Sequence, residues 1–384
     1  MGVHSAYSLR VKTIELSYSL TAREAGARGI RNPLMEVLHA VHQQRSIAAA
    51  ARALGQSYRH VWGELKRWEA ELGRGLIVWE KGQPARLSEF GDKLLWAEQQ
   101  AQARLAPQIE ALHADLERAF AVAYDDTAHV LPLYASHDDA LVALREHAAA
   151  QSRLHLDIRF TGSVDAIRAL NDGRCVLAGF HTPPQPVATQ PGTAPSLAQR
   201  TYQPLLQPGQ HKIIGFARRT QGLVVARGNP LRLAGLADLQ RTRARYVNRP
   251  PGTGTRLLAQ HLLEQAGAEP AGIEGWDRTE PSHAAVAQAV ASGAADAGLA
   301  IEAAARARGL GFVPLLQEAY YLVCLRAALE QPPIVALREV LTSAGWLARL
   351  AQLSGYEALR SGEVLSLRRE LPWWRLPRAK NRTG

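Results

Sequence analysis

The spacing of apolar positions changes along the chain and predicts its order of helices and strands. Residues 9–20 alternate apolar and polar side chains, as a half-buried strand does. Helical spacing follows, with Pro33 in the first turn of one helix and further helices at 46–54 and 57–72. Two β-prone runs at 76–79 and 85–87 flank a KGQP turn. The first part of the chain is therefore expected to be a small helical unit that ends in a β-hairpin.

Residues 89–120 carry apolar residues at helical spacing over a long stretch, with Pro107 in the middle. Proline removes a backbone donor, so we expect a kink or a break there. A long amphipathic helix that leaves a small unit is a natural linker and dimerisation element. The alternative is a helix that packs on its own domain.

From about residue 128 the pattern alternates between short apolar runs and helical segments. KIIGFA and LVVA count as separate strands, and so do GFVPLL and EAYYLVC. This order predicts a doubly wound, mostly parallel α/β sheet. Residues 181–210, rich in Pro, Gln, Thr and Ala, are expected to form a long loop.

Residues 46–62 have the pattern of two helices that cross at a tight turn. Ala50 or Ala51 supplies the tiny residue at the crossing, Gly55 suits a left-handed turn, and Ser57 is placed to cap the second helix. In a helix-turn-helix, the start of this second helix enters the major groove, where Arg59 is placed to read a guanine edge. The alternative is a helical hairpin that only packs. The predicted DNA-binding residues are Ser46, Ser57, Tyr58, Arg59, His60, Lys66 and, on a β-wing, Lys81 and Arg86.

The net charge of +10 is unevenly placed, which supports a polyanionic partner. Residues 1–93 contain 14 Lys and Arg against 9 Asp and Glu, and residues 365–384 contain 6 against 1. The stretch between them is close to balanced for its length.

The segment SIAAAARALGQSYRHVWGELKRWEAELGRGLIVWEKGQPARLSEFGDKLL resembles the N-terminal domain of molybdate-responsive transcription regulators, which are relatives of the LysR-type winged helix-turn-helix domains. The resemblance covers roughly residues 30–120. It implies a dimer that binds a partly palindromic operator.

Residues 128–326 are similar to type 2 periplasmic binding proteins, particularly to the molybdate-binding-like domain fused behind such DNA-binding domains. The pieces that carry this similarity include YASHDDAL, FTGSVDAIRAL, YVNRPPGTGTR and EAYYLVC. Molybdate regulators themselves usually carry small oxyanion-binding barrels here, so their ligand does not transfer to this chain. The implied fold is α/β, a winged helix-turn-helix and a long linker helix followed by a two-lobed doubly wound domain. The expected division is a strand and connector at 1–30, the winged helix-turn-helix at 31–93, the linker helix at 94–127, the effector domain at 128–365 and a basic tail at 366–384.

Polar loops at the carboxyl ends of the predicted strands are the expected ligand site, because ligands of such folds bind there. The loop RPPGTGTR offers backbone N–H groups, hydroxyls and a helix N-terminus to an anion. Alternatively, its glycines only shape a turn and its threonines only cap the helix. The predicted effector-binding residues are Ser136, His137, Thr161, Gly162, Ser163, His181, Asn248, Arg249, Gly252, Thr253, Gly254, Thr255, Arg256, Glu280, Ser282, His283 and Tyr320.

These features predict a transcription regulator that responds to a small anion, either an oxyanion such as molybdate or tungstate or a carboxylate such as formate. A DNA-binding architectural protein with a vestigial effector domain is the alternative. Catalytic, metal and cofactor motifs are not expected, since no Walker lysine, nucleophile elbow or cysteine–histidine spacing occurs. A homodimer or homotetramer is expected, in the cytoplasm and without a membrane span. Cys175 and Cys324 are expected to be buried thiols.

Overall fold

The computed structural model describes residues 32–79, 83–124, 127–183 and 195–374, without the side chains of residues 121, 122 and 372. The predicted strand at 9–20, Lys81 and the end of the basic tail lie outside the described residues. The chain forms two compact units, one up to residue 98 and the other from residue 99.

The first unit contains three helices and a two-stranded hairpin, as predicted. Its elements are α1 (Pro33–Gln44), α2 (Ile47–Ala53), α3 (Tyr58–Leu72), β1 (Ile77–Val78), β2 (Arg86–Leu87) and the start of α4 (Glu89–Tyr124).

The helix starts of this unit are fixed by polar caps, as the sequence predicts for Ser57. The side chain of Asn32 accepts from the backbone of Leu34, and Pro33 occupies the first turn of α1. Ser46 and Ser57 cap α2 and α3 in the same way. Such caps satisfy the free N–H groups at a helix start.

The core of the first unit is small and lies where the three helices meet. Val61 and Leu65 of α3 are fully buried in one cluster with Leu38 and Val41 of α1 and with Ala50 of α2. The strands β1 and β2 pair antiparallel, with Ile77 opposite Leu87. The arrangement is a helix-turn-helix with a β-wing, as predicted.

Helix α4 runs from Glu89 to Tyr124 with Pro107 inside it, so the chain does not break there, and the alternative of a kink stays a prediction. Pro107 has no N–H to donate to the carbonyl of Ala103, four residues earlier. The hydroxyl of Ser282 donates to that carbonyl at 3.1 Å instead. A neighbouring element thus supplies a donor to the carbonyl that proline leaves without its helical partner.

The second unit alternates strands with helices after the end of α4. Its elements are β3 (His129–Ala135), α5 (Asp139–Ser152), β4 (Leu154–Phe160), α6 (Ser163–Asn171), β5 (Leu177–Thr182), α7 (Leu197–Tyr202), β6 (His211–Val225), α8 (Asp238–Thr242), β7 (Tyr246–Val247), α9 (Gly254–Ala266), α10 (His283–Ala291), β8 (Ala297–Ile301), α11 (Glu302–Arg306), β9 (Gly311–Leu325), α12 (Pro332–Thr342), α13 (Ala344–Ala351), β10 (Tyr356–Ala358), β11 (Val364–Leu365) and α14 (Leu367–Glu370).

These strands form one mixed sheet in the order β4-β3-β5-β9-β6-β8-β7, with β10 and β11 also paired to β6. The outer pairs β3–β4, β3–β5 and β7–β8 are parallel, but β6 and β9 run antiparallel to each other and to their other neighbours. The prediction of a mostly parallel sheet is therefore wrong at the centre. It divided β6 and β9 into short strands because polar residues interrupt each apolar run.

The two long strands belong to two lobes. The second half of β9 pairs with β5, while the second half of β6 pairs with β8. Lobe I thus contains β3, β4 and β5, and lobe II contains β7 and β8. This confirms the predicted two-lobed α/β domain, with β6 and β9 as the connection between the lobes.

Candidate functional site

The start of α3 presents polar and aromatic side chains to solvent in the first unit. Tyr58 is 50% exposed, and its ring stacks on Trp62. Arg59 and His60 are exposed beside it. Arg59 makes no side-chain hydrogen bond or ion pair to another described residue, so its guanidinium is available to a partner. Lys66, one turn further, pairs with Glu69 at 2.7 Å and lies over Trp62.

The remaining predicted DNA-binding residues are divided between caps and the wing. The hydroxyl of Ser46 accepts from the backbone of Ala49, and that of Ser57 accepts from His60. These serines hold the two helix starts in place. Arg86 is exposed on β2 of the wing.

A buried ionic cluster lies in the second unit where β6 crosses from lobe I to lobe II. Arg219 donates to Glu318, directly opposite on β9, at 2.6 Å, and also to Asp138 after β3. Tyr356 donates to Asp138 at 2.9 Å, and Gln221 donates to Glu318 at 2.7 Å. Arg219 is thus shared by two carboxylates, and all five side chains are buried.

Arg249, which follows β7 in lobe II, is a second buried cation in this region. It is 2% exposed, and its Nε and Nη1 atoms have no hydrogen-bond partner among the described residues. Burial, and then the positive charge of Arg219, lower the pKa of Arg249 to about 9. Near neutral pH, Arg249 is therefore a charged and unpaired guanidinium in the interior, which is costly unless an anion joins it.

Further polar atoms without described partners belong to the same region. His181, near the end of β5, is 1% exposed; neither ring nitrogen has a hydrogen-bond partner, and Nε2 lies 4.0 Å from the Asp138 carboxylate. Its ring lies 3.8 Å from that of Tyr320, whose hydroxyl is also unpartnered. The Nδ1 atom of His283 and the Oε1 atom of Gln221 are unpartnered as well.

The two histidines of this region are held neutral. Burial, and then Arg219 and Arg249, lower the pKa of His181 well below its usual value. Burial and Arg249 do the same to the pKa of His283. Buried polar groups usually have partners, so this concentration of unpartnered atoms makes the region a candidate ligand site.

Loops from the two lobes meet beside these residues. The backbone N–H of Val164 donates to the carbonyl of Gly252 at 3.5 Å. A Cβ atom added to Gly162 would lie 2.8 Å from that carbonyl oxygen, and one added to Gly254 would lie 2.8 Å from the Cβ of His181. Only glycine permits these approaches, so the structure shows the lobes closed on each other.

Several predicted ligand residues instead use their side chains within the RPPGTGTR loop and its neighbours. Arg256 donates to the carbonyl of Trp276 at 2.7 Å and lies over its ring. Thr253 caps α9, and Thr255 accepts from Gln221. Asn248 donates to the same Trp276 carbonyl at 3.3 Å. These contacts match the alternative in which most of the loop shapes a turn.

Other predicted residues contact α4 rather than the unpartnered atoms. Glu280, 1% exposed, accepts from Arg104 of α4 at 2.7 and 2.8 Å. Ser282 caps α10 and donates to Ala103. His137 lies 3.2 Å from Glu110 of α4. The helix therefore touches lobe II at the start of α10 and lobe I just before α5.

The last predicted residues line the inside of lobe I. The hydroxyls of Ser136 and Ser163 are 3.5 Å apart, and both residues are buried. Thr161 is partly buried, and its backbone N–H donates to the carbonyl of Ala135.

Sequence reasoning missed the ionic cluster itself, which contains Asp138, Arg219, Gln221, Glu318 and Tyr356. A signal was present in the run ARRTQG, where polar residues stand between the apolar halves of β6. The sequence analysis assigns the apolar halves to separate strands, whereas this run lies inside one strand in which Arg219 and Gln221 are buried and paired.

Other expected features concern cysteines, metals and membranes. Cys175 and Cys324 are free and buried, as predicted, and burial raises their pKa to about 11 and about 12. Within the described ranges, His, Cys, Asp and Glu form no group able to hold a metal ion. In the same ranges, no helix has the length and apolar character needed to cross a membrane.

Two family models match this architecture. Residues 33–92 match "Bacterial regulatory helix-turn-helix protein, lysR family", and residues 144–342 match "PBP superfamily domain". The second match covers more than half of the chain, so the chain belongs to the PBP superfamily, with a lysR-family helix-turn-helix in front. The molybdate-responsive subtype stays a prediction.

Individual relatives are similar over parts of the chain. The uncharacterized protein YvgK of Bacillus subtilis (strain 168) is 31% identical over 207 residues, which cover 54% of this chain and 64% of YvgK. This chain therefore spans less than two thirds of that relative. An uncharacterized protein in the ferredoxin 2Fe-2S gene 5' region of Clostridium pasteurianum is 31% identical over 111 residues, 29% of this chain and 97% of the relative. The crystal structure of full-length CbnR with its target DNA is 17% identical, with a TM-score of 0.36 over 83% of this chain and 98% of CbnR.

Proposed function

We propose that this chain is a transcription regulator that binds duplex DNA through its first unit and a small anion between the lobes of its second unit. Ligand binding alters DNA binding through α4. The observation that carries the ligand part is Arg249, a buried guanidinium without a partner among the described residues.

The DNA part rests on the exposed start of α3. A recognition helix contacts base edges with its N-terminal residues, and Tyr58, Arg59 and His60 occupy those positions. Ser46 and Ser57 fix the helix starts rather than contact bases, and Arg86 contacts the DNA phosphate backbone from the wing. This role implies a cytoplasmic location.

The ligand part rests on charge. The carboxylates of Asp138 and Glu318 hydrogen-bond to Arg219 and not to Arg249, so an incoming anion would be the first group to bond directly to the Arg249 guanidinium. His181, His283 and Tyr320 add hydrogen-bonding atoms from both lobes. An anion among these groups favours the closed lobes, because its partners are divided between them.

Helix α4 is the proposed route from ligand to DNA. Through Glu280 it contacts the strand end that carries Arg249, since the backbone of Glu280 donates to Asn248. Through Glu110 it contacts His137, which precedes Asp138. The ligand can shift DNA affinity only through its different affinity for open and closed lobes, typically about 1–3 kcal/mol.

The second copy of a dimer is proposed to pack on the other face of α4. Ala103, Pro107 and Ala114 are buried, whereas Leu105 and Leu112 are exposed. Apolar residues at this spacing suit a helix–helix contact.

A thermal unfolding assay on the full chain tests the ligand part, with molybdate, tungstate, sulfate, formate and phosphate as ligands. A ligand of the folded state raises stability by about RT ln(1 + [L]/Kd), so a saturating shift for one anion supports the proposal. The same anion should change the affinity for duplexes selected from a random pool. Arg249→Met should remove the anion response and keep basal DNA binding. DNA affinity that is indifferent to every stabilising anion would contradict a ligand-responsive regulator.

A second candidate is an architectural DNA-binding protein with a vestigial ligand domain. The observation that favours it is the contact between Gly162 and Gly252, which closes the lobes, together with the internal bonds of Arg256 and Thr253. It predicts DNA binding with no stabilising anion, so the same two assays separate the candidates.

A further inference from the structure

The unpartnered atoms of the second unit include acceptors as well as donors. Arg249 offers only N–H donors, and the hydroxyl of Tyr320 donates or accepts. The Oε1 atom of Gln221 only accepts, because its Nε2 already donates to Glu318 and Thr255. His181, held neutral, offers one N–H donor and one acceptor nitrogen. A ligand that brings only acceptor oxygens would therefore leave the Gln221 oxygen and one His181 nitrogen unsatisfied.

The buried charges near Arg249 disfavour a ligand with more than one negative charge, because Asp138 and Glu318 together already balance the positive charges of Arg219 and Arg249. Arg219 is already shared by Asp138 and Glu318. Burial, and then the negative charge of Asp138, raise the pKa of Asp139. Among the described residues of the cluster, a second negative charge on the ligand would face two carboxylates without a further free cation. Burying an uncompensated charge is costly.

We infer that the ligand is a small singly charged oxyacid that carries an O–H donor, such as a hydroxycarboxylate or a dihydrogen oxyanion, and not a fully deprotonated dianion. This inference rests on the proposed ligand site and narrows its chemistry. The charged oxygen pairs with Arg249. The O–H group donates to one of the two available acceptors, the Gln221 oxygen or the unprotonated nitrogen of His181.

This chemistry makes His181 and Gln221 the residues that determine specificity. A site built to hydrogen-bond a ligand hydroxyl strongly rejects an analogue without that hydroxyl, because the buried partner is then left unpaired. Simple carboxylates such as acetate and formate should accordingly bind more weakly than hydroxycarboxylates of similar size. Sulfate and molybdate should bind more weakly than a protonated oxyanion.

Thermal unfolding of the full chain tests the inference with matched probes. Glycolate and acetate differ by one hydroxyl, and sulfate is a dianion without a proton to donate. Inorganic phosphate is tested on the acidic and on the alkaline side of its second ionisation, each against the same buffer without ligand. The expected result is an apparent Kd at least about 10-fold lower for glycolate than for acetate, or a phosphate effect confined to the acidic side. The first outcome identifies a hydroxycarboxylate and the second a hydrogen oxyanion.

Variants connect the preference to the residues. His181→Phe keeps a ring against Tyr320 but removes both nitrogens, so the preference for the hydroxyl should fall several-fold. Arg249→Met should remove binding of all these probes. Arg245→Gln is the control, because Arg245 is an exposed arginine just before β7 that pairs with Asp296, and it should behave as the unaltered chain.

If sulfate, molybdate or acetate stabilises the chain as much as glycolate and acidic phosphate do, or more, the inference is overturned and the proposed anion site still stands. A flat response to glycolate and phosphate would also overturn it. These comparisons use the unaltered protein and do not depend on how a variant folds. DNA binding, measured separately on selected duplexes, decides the regulator proposal.

Discussion

Replacing Arg249 by methionine should stabilise the protein in the absence of ligand, although Arg249 is a large buried residue. Most substitutions of buried residues destabilise a protein because they remove contacts. Arg249 differs because its Nε and Nη1 atoms have no described partner and its charge lies in the interior. Methionine keeps much of the aliphatic stem and removes the charge.

The pKa of Arg249 gives the size of the effect. Burial and Arg219 lower this pKa from 12.5 to about 9, and each pKa unit corresponds to about 1.4 kcal/mol, so the charge costs the fold on the order of 5 kcal/mol. Removing the charge recovers this free energy, but part of it is lost because methionine packs less surface than the longer arginine side chain. We therefore expect Arg249→Met to raise the free energy of unfolding by about 1–3 kcal/mol at neutral pH.

The same pKa predicts how the effect depends on pH. Above about pH 9, folded Arg249 loses its proton while the unfolded chain still binds one. The unfolded state then holds more protons, so the stability of the unaltered protein rises with pH relative to the variant. Below about pH 9 both states are protonated and the penalty is complete. The advantage of the variant should therefore shrink as the pH rises through 9.

Calorimetry of the full chain at several pH values measures these differences, with Arg256→Met as the matched control. Arg256 is buried too, but it donates to Trp276 and lies over its ring. Its loss should destabilise by about 1–3 kcal/mol. If Arg249→Met destabilises the chain as much as Arg256→Met does, Arg249 is a structural residue and the argument for an anion site fails.

Three further predictions concern other parts of the chain. Arg59→Ala should weaken binding to a selected duplex by about 1–3 kcal/mol and binding to random DNA less, as measured by fluorescence anisotropy; equal losses would make Arg59 a phosphate contact. Arg104→Gln should destabilise the chain more than Glu280→Gln in the same unfolding assay, because Arg104→Gln leaves the buried Glu280 charge unpaired, although Arg104 itself is 51% exposed. The reverse order would contradict a buried ion pair. Leu112→Glu should lower the mass seen in sedimentation if α4 is the dimer contact, since Leu112 is 55% exposed, and an unchanged mass would exclude this face.

Local signals predicted the first unit well. Asn32, Ser46 and Ser57 are caps whose effect depends on a few neighbouring residues, and the helices begin where they stand. The tiny Ala50 and the glycine turn act over equally short distances. Such features can be interpreted from one sequence because their partners lie within a few residues.

The second unit was harder because its decisive contacts are distant in sequence. Arg219 and Glu318 form their ion pair across 99 positions, and no local pattern shows that each has a partner. Without that pairing, charged residues in an apolar run indicate a loop, and β6 and β9 were divided accordingly. The contact that compensates for Pro107 is equally distant in sequence, since the hydroxyl of Ser282 donates to the carbonyl that proline leaves without a donor.

The site was predicted in outline but not in detail. Arg249, His181 and His283, indicated by strand ends and helix starts, and Tyr320, indicated on a strand, are all buried in one region, and their role in ligand binding stays a prediction. The pattern could not show which polar side chains already have partners. That distinction depends on the packing of both lobes and of α4.

The two long strands also determine the order in which the chain can fold as it is synthesised. Lobe II is an uninterrupted segment between β6 and β9, so its residues emerge together. Lobe I is not one uninterrupted segment, because β5 pairs with β9, and β9 emerges after the whole of lobe II. Until then β5 is an open sheet edge, and such edges promote association between chains. Fragments that end before residue 311 therefore carry an unfinished lobe I, however well lobe II has formed.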